Sequence, residues 1–215
     1  AARRAAAALG GSPIEGGMMP VVLENGVAAE FLGVILSGLS ASNVIRGKSL
    51  FAGLEGEPIA SDCVTMTDQN DLPEGMNRRP FDSEGVSACR KTLVDNGILR
   101  GFMHNTYTAA KMGVRTTANA VRGGFRGAPE VGASNFWLAP GEQTLERLLD
   151  GAGNGLFVTD AMGVHTADPV SGDFSFGASG FRIESGRLGR PVRGVTVAGN
   201  IRDLLRSVVA TGSDL

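Results

Sequence analysis

SGDFSFGASGFRIESG, residues 171–186, is the stretch that decides how the chain folds. Phe174, Phe176 and Ala178 recur at period two, the spacing that puts side chains on one face of a β-strand. Phe181 and Ile183 are apolar too, but their parity is shifted by one. A period-two strand changes faces by taking in an extra residue, so the pattern predicts a β-bulge among Gly177–Gly180. Just upstream, GVHTAD at 163–168 sets a histidine and an acid before the strand. Such a mixture fits a catalytic loop or a bent strand in a binding cleft.

Outward from this strand, SGRLG reads as a turn and Val195 and Val197 as the next strand. Asn200 caps a closing helix with Ile201, Leu204, Leu205, Val208 and Val209 on one stripe. Upstream, GLFVTD reads as a strand and ERLLDG as a helix. Within ACRKTLVDNGILRGFMHN, Asp95-Asn96-Gly97 is a strong hairpin signal. TYTAAKMG reads as a short helix closed by Gly113, and residues 114–139 as irregular chain ending in NFWLAPG. Residues 59–68 alternate as a strand, and PVVLENG is a short strand ending in an Asn-Gly turn. Between them, Ala28, Phe31, Leu32, Ile35, Leu36 and Leu39 place a largely buried helix over 27–40. Gly33 and Gly38 each cost that helix about 1 kcal/mol against alanine, which points to close packing or a site.

The 32 glycines in 215 residues imply many turns and close backbone approaches. The expected class is α+β: a β-rich, strongly bent antiparallel sheet or barrel-like core with a few packed helices. A 42% hydrophobic content supports a real core. Net charge is −2 with acids and bases mixed, which argues against a nucleic-acid partner. No apolar run approaches the roughly 20 residues of a membrane span. Cys63 and Cys89 alone do not make a disulfide framework, and a reducing cytoplasm is the simpler location. AARRAAAALG lacks the features of a signal peptide and reads as the end of an alanine-rich helix. Residues 1–19 are accordingly assigned to a linker and 20–215 to the domain proper.

Residue types alone offer little self-sufficient chemistry. His104 and His165 are the two histidines, with no HExxH, no CxxC and no GxSxG elbow around Ser179. The glycines at 123–132 match no phosphate-binding loop. Asp82 and Glu84, in FDSEG, read as turn acids or as polar groups of a cleft. His165 reads as a loop histidine before it reads as a catalytic one, and Phe174, Phe176 and Phe181 as core.

In order along the chain stand FDSEGVSACRKTLVDNGILRGFMHNTYTAAKMG, SNFWLAPGEQTLERLLDGAGNGLFVTD and GVHTADPVSGDFSFGASGFRIESGRLGRPVRGVTVAGNIRDLL. Together they resemble the C-terminal domain of the TldD/PmbA (TldE) family, over nearly all of 20–215, and within it the PmbA/TldE branch. The resemblance implies a cytoplasmic TldD–TldE pair acting as a zinc metalloprotease on flexible or unfolded peptides and in peptide maturation. In the family the metal sits on the TldD-like subunit, held by an HExxxH helix and a later cysteine. Its historical description, modulator of DNA gyrase, does not imply DNA binding.

In this chain Gly33, Val34 and Gly38 stand where the HExxxH residues would be. Glycine and valine neither ligate zinc nor move a proton. The resemblance therefore implies a non-catalytic subunit: no catalytic residue and no metal here, and zinc on a TldD-like partner. The partner is that subunit in a heterodimer, or a second copy by self-association; the substrate is a peptide or unfolded protein. Asp82, Glu84, His165, Asp173 and Ser175 are the substrate-cleft candidates. The family's N-terminal domain and glycine-rich tail have no counterpart in the sequence. Two other readings stand beside this one. One is a peptidase in its own right, with a non-standard metal site from His104, His165 and a cysteine. The other is a peptide-binding module without proteolysis.

Overall fold

The computed structural model describes residues 9–73 and 75–214, so the helical end expected over residues 1–8 lies outside the described residues. Two four-stranded sheets organise the rest. The first runs in the order β1 (Val21–Leu23), β8 (Gly155–Met162), β9 (Asp173–Glu184), β10 (Arg187–Asn200). Its β1–β8 pair is parallel and the others antiparallel. Ser185 and Gly186, at φ 48° and 75°, make the tight turn between β9 and β10.

β9 runs unbroken through Gly177–Gly180, and neither glycine has a positive φ. The expected bulge is not there. The extra residues sit on the flanking strands instead. On β8 the register slips between Val158 and Asp160. On β10 it slips between Leu188 and Pro191, and again between Val192 and Val195, where Gly194 takes φ 69°.

The parity shift has another cause: the two faces of the strand are covered in turn. Phe174, Phe176 and Ala178 enter the main core under helix α1 (Asn25–Gly38). Phe31 of that helix meets the rings of Phe174 and Phe176 edge-on at 5.3 Å each. Ile183 and the half-buried Phe181 instead join Phe157 and Leu149 in a smaller cluster. Leu149 belongs to helix α4 (Leu145–Ala152), so this cluster lies on the other side of the sheet. Each buried phenylalanine contributes about 1.5–3 kcal/mol, which outweighs any preference for one continuous face. Gly180 marks a close approach, because a Cβ there would run into the Phe157 carbonyl.

The second sheet is antiparallel, in the order β4 (Ile98–Leu99), β3 (Arg90–Asp95), β2 (Met66–Gln69), β7 (Phe136–Leu138). Asn96 and Gly97, at φ 47° and 78°, form the expected two-residue turn. Helix α1 packs against β8 of the first sheet and β7 of the second. A hairpin of β5 (Ala120–Val121) and β6 (Glu130–Val131) stands apart from both sheets. Among the described residues no sheet closes into a barrel, so the class is α+β with the bent-sheet alternative.

Four readings differ from the structure, the first being the segment 114–139, which reads as irregular chain but carries β5, β6 and the sheet strand β7. Asn25-Gly26 opens α1 and is not a turn. Of the 59–68 segment only its last three residues are strand, the start of β2; Ile59, Ala60 and Val64 are buried from irregular chain that bonds to Gly97 and Ser61. The last helix, α5 (Ile201–Ser207), stops before Val209, which is 94% exposed.

Candidate functional site

The second half of α1 carries the three positions of interest, and they meet different surroundings. Gly33 is exposed, with nothing within 4 Å of where a Cβ would stand. Val34 is buried in the main core. Gly38 is buried against the turn at 49–51. A Cβ on it would lie 2.8 Å from Phe51 Cδ2 and 3.1 Å from Leu50 Cδ2. Ser49 Oγ donates to the Gly38 carbonyl at 2.6 Å and locks that turn to the helix end. A histidine at 38 would need the space that Phe51 fills. The residues here do not fit a metal: two glycines and a core valine supply no ligand.

Gly33 floors a cleft of about 550 Å³. Its walls are α1, the end of helix α2 (Ala41–Ile45), helix α3 (Thr106–Met112) and β6. Arg46, Tyr107, Lys111 and Glu130 supply its charge and its aromatic ring. The Lys111 ammonium sits 5.9 Å from the centre of the Tyr107 ring.

The sequence-predicted acids hold these walls in place. Asp82 is buried, and its carboxylate accepts from the N–H groups of Glu84 at 2.9 Å, Val86 at 3.0 Å and Ala120 at 3.0 Å. It thereby ties the FDSEG turn to β5. Glu84 accepts from Thr106 N at 2.8 Å and Thr106 Oγ1 at 2.7 Å, an anion on the first turn of α3. Asn105 caps the same helix in a reciprocal bond pair with Thr108.

His165, Asp173 and Ser175 lie elsewhere. His165 is exposed in a one-turn helix over Val164–Thr166, packed against α1 and β9. Asp173 and Ser175 are on the exposed face at the start of β9. Asn200 Nδ2 donates to Asp173 Oδ1 at 2.8 Å, and this bond, with a further one from Ser171, holds the carboxyl below its usual range. Among the described residues no hydrogen bond joins this trio to Asp82 or Glu84. No group of three or more His, Cys, Asp or Glu among them is placed to hold a metal ion.

Sequence reasoning missed a buried polar network beside the cleft. Asp68 and Asn119 are fully buried on β2 and before β5. Asp68 accepts from Asn119 Nδ2 at 2.8 Å and Ser134 N at 2.8 Å, and pairs with Lys91 Nζ at 3.1 Å. Lys91 also donates to Asn70 Oδ1 at 2.5 Å and the Thr117 carbonyl at 2.9 Å. The network holds both ends of the β5–β6 hairpin to the second sheet. His104 sits next to it, 4% exposed, with Nδ1 buried and unpartnered. Burial lowers its pKa, opposed in part by the Thr108 backbone.

A family model described as the PmbA/TldA metallopeptidase C-terminal domain matches residues 16–215. The Metalloprotease PmbA of Escherichia coli O157:H7 is 32% identical over 196 residues, covering 91% of this chain and 41% of its own length. A crystal structure from Thermotoga maritima, described as a modulator of DNA gyrase, superposes with a TM-score of 0.93 at 34% identity. That match covers 99% of this chain and 49% of the other. TldE from Thermococcus kodakarensis shares the fold, with a TM-score of 0.87 at 24% identity over 99% of this chain and 48% of that one. The chain thus spans under half the length of these relatives. No helix among the described residues is long and apolar enough to cross a membrane. By its motifs, its fold and the matched family model, the chain belongs to the PmbA/TldD family of metallopeptidases.

Proposed function

We propose that this chain serves as the metal-free, PmbA/TldE-like subunit of a cytoplasmic zinc metalloprotease, whose zinc and catalytic groups reside on a TldD-like partner. The observation that carries the reading is the packing at Gly38, where Phe51 and Leu50 fill the space a second histidine ligand would need. Val34 supports it, since a valine in the core has replaced the group that would act as general base. What remains around Gly33 is an open cleft with polar walls, suited to holding a flexible peptide. The chain's role in the pair is then to complete a substrate-holding enclosure. His165, Asp173 and Ser175, which lie apart from the cleft over Gly33, take no part in bond cleavage.

The test is reconstitution. The purified chain, dialysed exhaustively, is expected to hold well under one zinc per molecule and to leave an unfolded protein substrate intact. Mixing with a TldD-like subunit should give chelator-sensitive proteolysis that is lost when the partner's HExxxH glutamate is replaced. His165→Ala should reduce that activity only modestly. Stoichiometric zinc on this chain, lost on replacing His104 or His165, would overturn the reading, as would cleavage by the chain alone.

A further inference from the structure

Arg46 and Lys111 line the cleft over Gly33, and among the described residues no acid pairs with either. The ion pairs among the described residues are Lys91–Asp68 and Arg100–Asp95, and no side-chain hydrogen bond involves Arg46 or Lys111. Two unspent cations in one concave site attract an anion, and a guanidinium fork matches a carboxylate in particular. Glu130, on the β6 wall, limits how much negative charge the cleft accepts, which favours a single carboxylate over a polyanion.

The cleft also offers a backbone partner. Gly132 N donates to the Asn119 carbonyl of the opposite strand. Because residues of an antiparallel ladder alternate in direction, the N–H and C=O of Val131 point away from β5. Val131 lines the cleft, and no hydrogen bond among the described residues uses its backbone. An extended peptide can bond there as a short added strand.

We propose that this cleft binds the carboxylate of an extended peptide, clamped by Arg46 and Lys111 with the peptide backbone against Val131. The proposal rests on the reading of the chain as a peptide-handling subunit, but it concerns binding alone.

The test is fluorescence anisotropy of labelled octapeptides of Gly, Ala and Ser with the 215-residue chain, without partner or zinc. Three probes are compared: a free C-terminal acid, its C-terminal amide, and an amide carrying one internal Glu. The free acid is expected to bind at least tenfold tighter than the plain amide. Arg46→Ala should remove most of that advantage, and Arg46→Lys should restore part of it. If the Glu-bearing amide matches the free acid, a side-chain carboxylate serves as well as the terminus; if it matches the plain amide, the cleft reads the terminus. Gly33→Leu, placed where a side chain meets open space, should block all three probes without lowering the melting temperature. Equal binding of acid and both amides, indifference to Arg46→Ala, or no binding to the wild-type chain overturns the proposal. None of these results depends on proteolysis, so the subunit reading can fail on zinc content or reconstitution while the clamp stands, and the reverse.

Discussion

Gly33 and Gly38 lie on the same helix, and the same substitution should act on them with opposite sign. Glycine to alanine in a helix interior gains about 0.5–1 kcal/mol through the backbone. At Gly33 nothing opposes that gain, since the new methyl meets open space. At Gly38, the last residue of the helix, the gain is smaller. There the methyl would stand 2.8 Å from Cδ2 and 2.9 Å from Cε2 of Phe51, and 3.1 Å from Leu50 Cδ2. Phe51 is wholly buried and Leu50 is 1% exposed, so neither can swing into solvent. Overpacking of this kind costs about 1–3 kcal/mol. The net expectation is a loss of about 1–2 kcal/mol for Gly38→Ala and a gain of up to about 1 kcal/mol for Gly33→Ala. At this chain length each kcal/mol moves the melting temperature by roughly 2–4 °C, so calorimetry should separate the two variants by roughly 2–12 °C. A double-mutant cycle with Phe51→Leu tests the cause: shrinking the ring should make Gly38→Ala less costly by at least about 0.5 kcal/mol. If Gly38→Ala melts at or above Gly33→Ala, the space at position 38 is not filled as described. The principal argument against a zinc ligand there would then fail.

Other expectations follow from neighbouring features. Gly180→Val should destabilise by about 3 kcal/mol because its Cβ runs into the Phe157 carbonyl, whereas Gly177→Val, which meets Met162 no closer than 3.6 Å, should melt near wild type; equal melting of the two would refute this. Lys91→Met leaves Asp68 charged and unpaired in the interior and should cost about 3–5 kcal/mol in urea titrations, against less than about 1 kcal/mol for Arg100→Met, whose pair with Asp95 is solvent-exposed. Burial holds the folded pKa of His104 below the ordinary imidazole value of about 6.5, so below that pH the unfolded chain binds a proton that the folded chain resists. Stability should therefore fall as pH drops from 7.5 to 5.5, and His104→Leu should lose less over that interval than wild type; identical losses in urea midpoint would count against a buried neutral imidazole.

What the sequence disclosed was local. Asn96-Gly97 demands φ > 0 at adjacent residues, Gly113 closes its helix in the left-handed region, and Asn200 caps a helix through its own neighbour, so these were readable in place. The alternation of 59–68 misled because irregular chain can bury Ile59, Ala60 and Val64 as well as a strand can. The phase of β9 misled because its second cover, α4, lies about thirty residues upstream, and no period reveals which helix will lie on which face. At the site, the loss of ligands at 33, 34 and 38 was legible through family resemblance, but the filling of the gap by Phe51 is a tertiary fact. Arg46, Tyr107 and Lys111 carry no signal in the sequence, since the cleft that gathers them draws on three separate segments. Asp68 and Lys91 were silent for the same reason: a charged residue near a strand end gives no hint of burial.

The switch of covered faces along β9 also governs where the chain tolerates a change of length. Deleting one residue near Ala178 would turn Phe174 and Phe176 outward while Phe181 and Ile183 stayed in place, or the reverse. No choice of partner register rescues both ends at once, because the two clusters fix the strand from opposite sides. β10 supplies the main core alone and faces no such double demand, and the extra residues sit on it and on β8, around Gly189–Arg190 and Arg193–Gly194 on β10 and at Thr159 on β8. Insertions in chains of this architecture belong at the ends of β9, in the Ser171-Gly172 approach or the Ser185-Gly186 turn. The strand between them acts as a ruler of fixed length against which the rest of the sheet is adjusted.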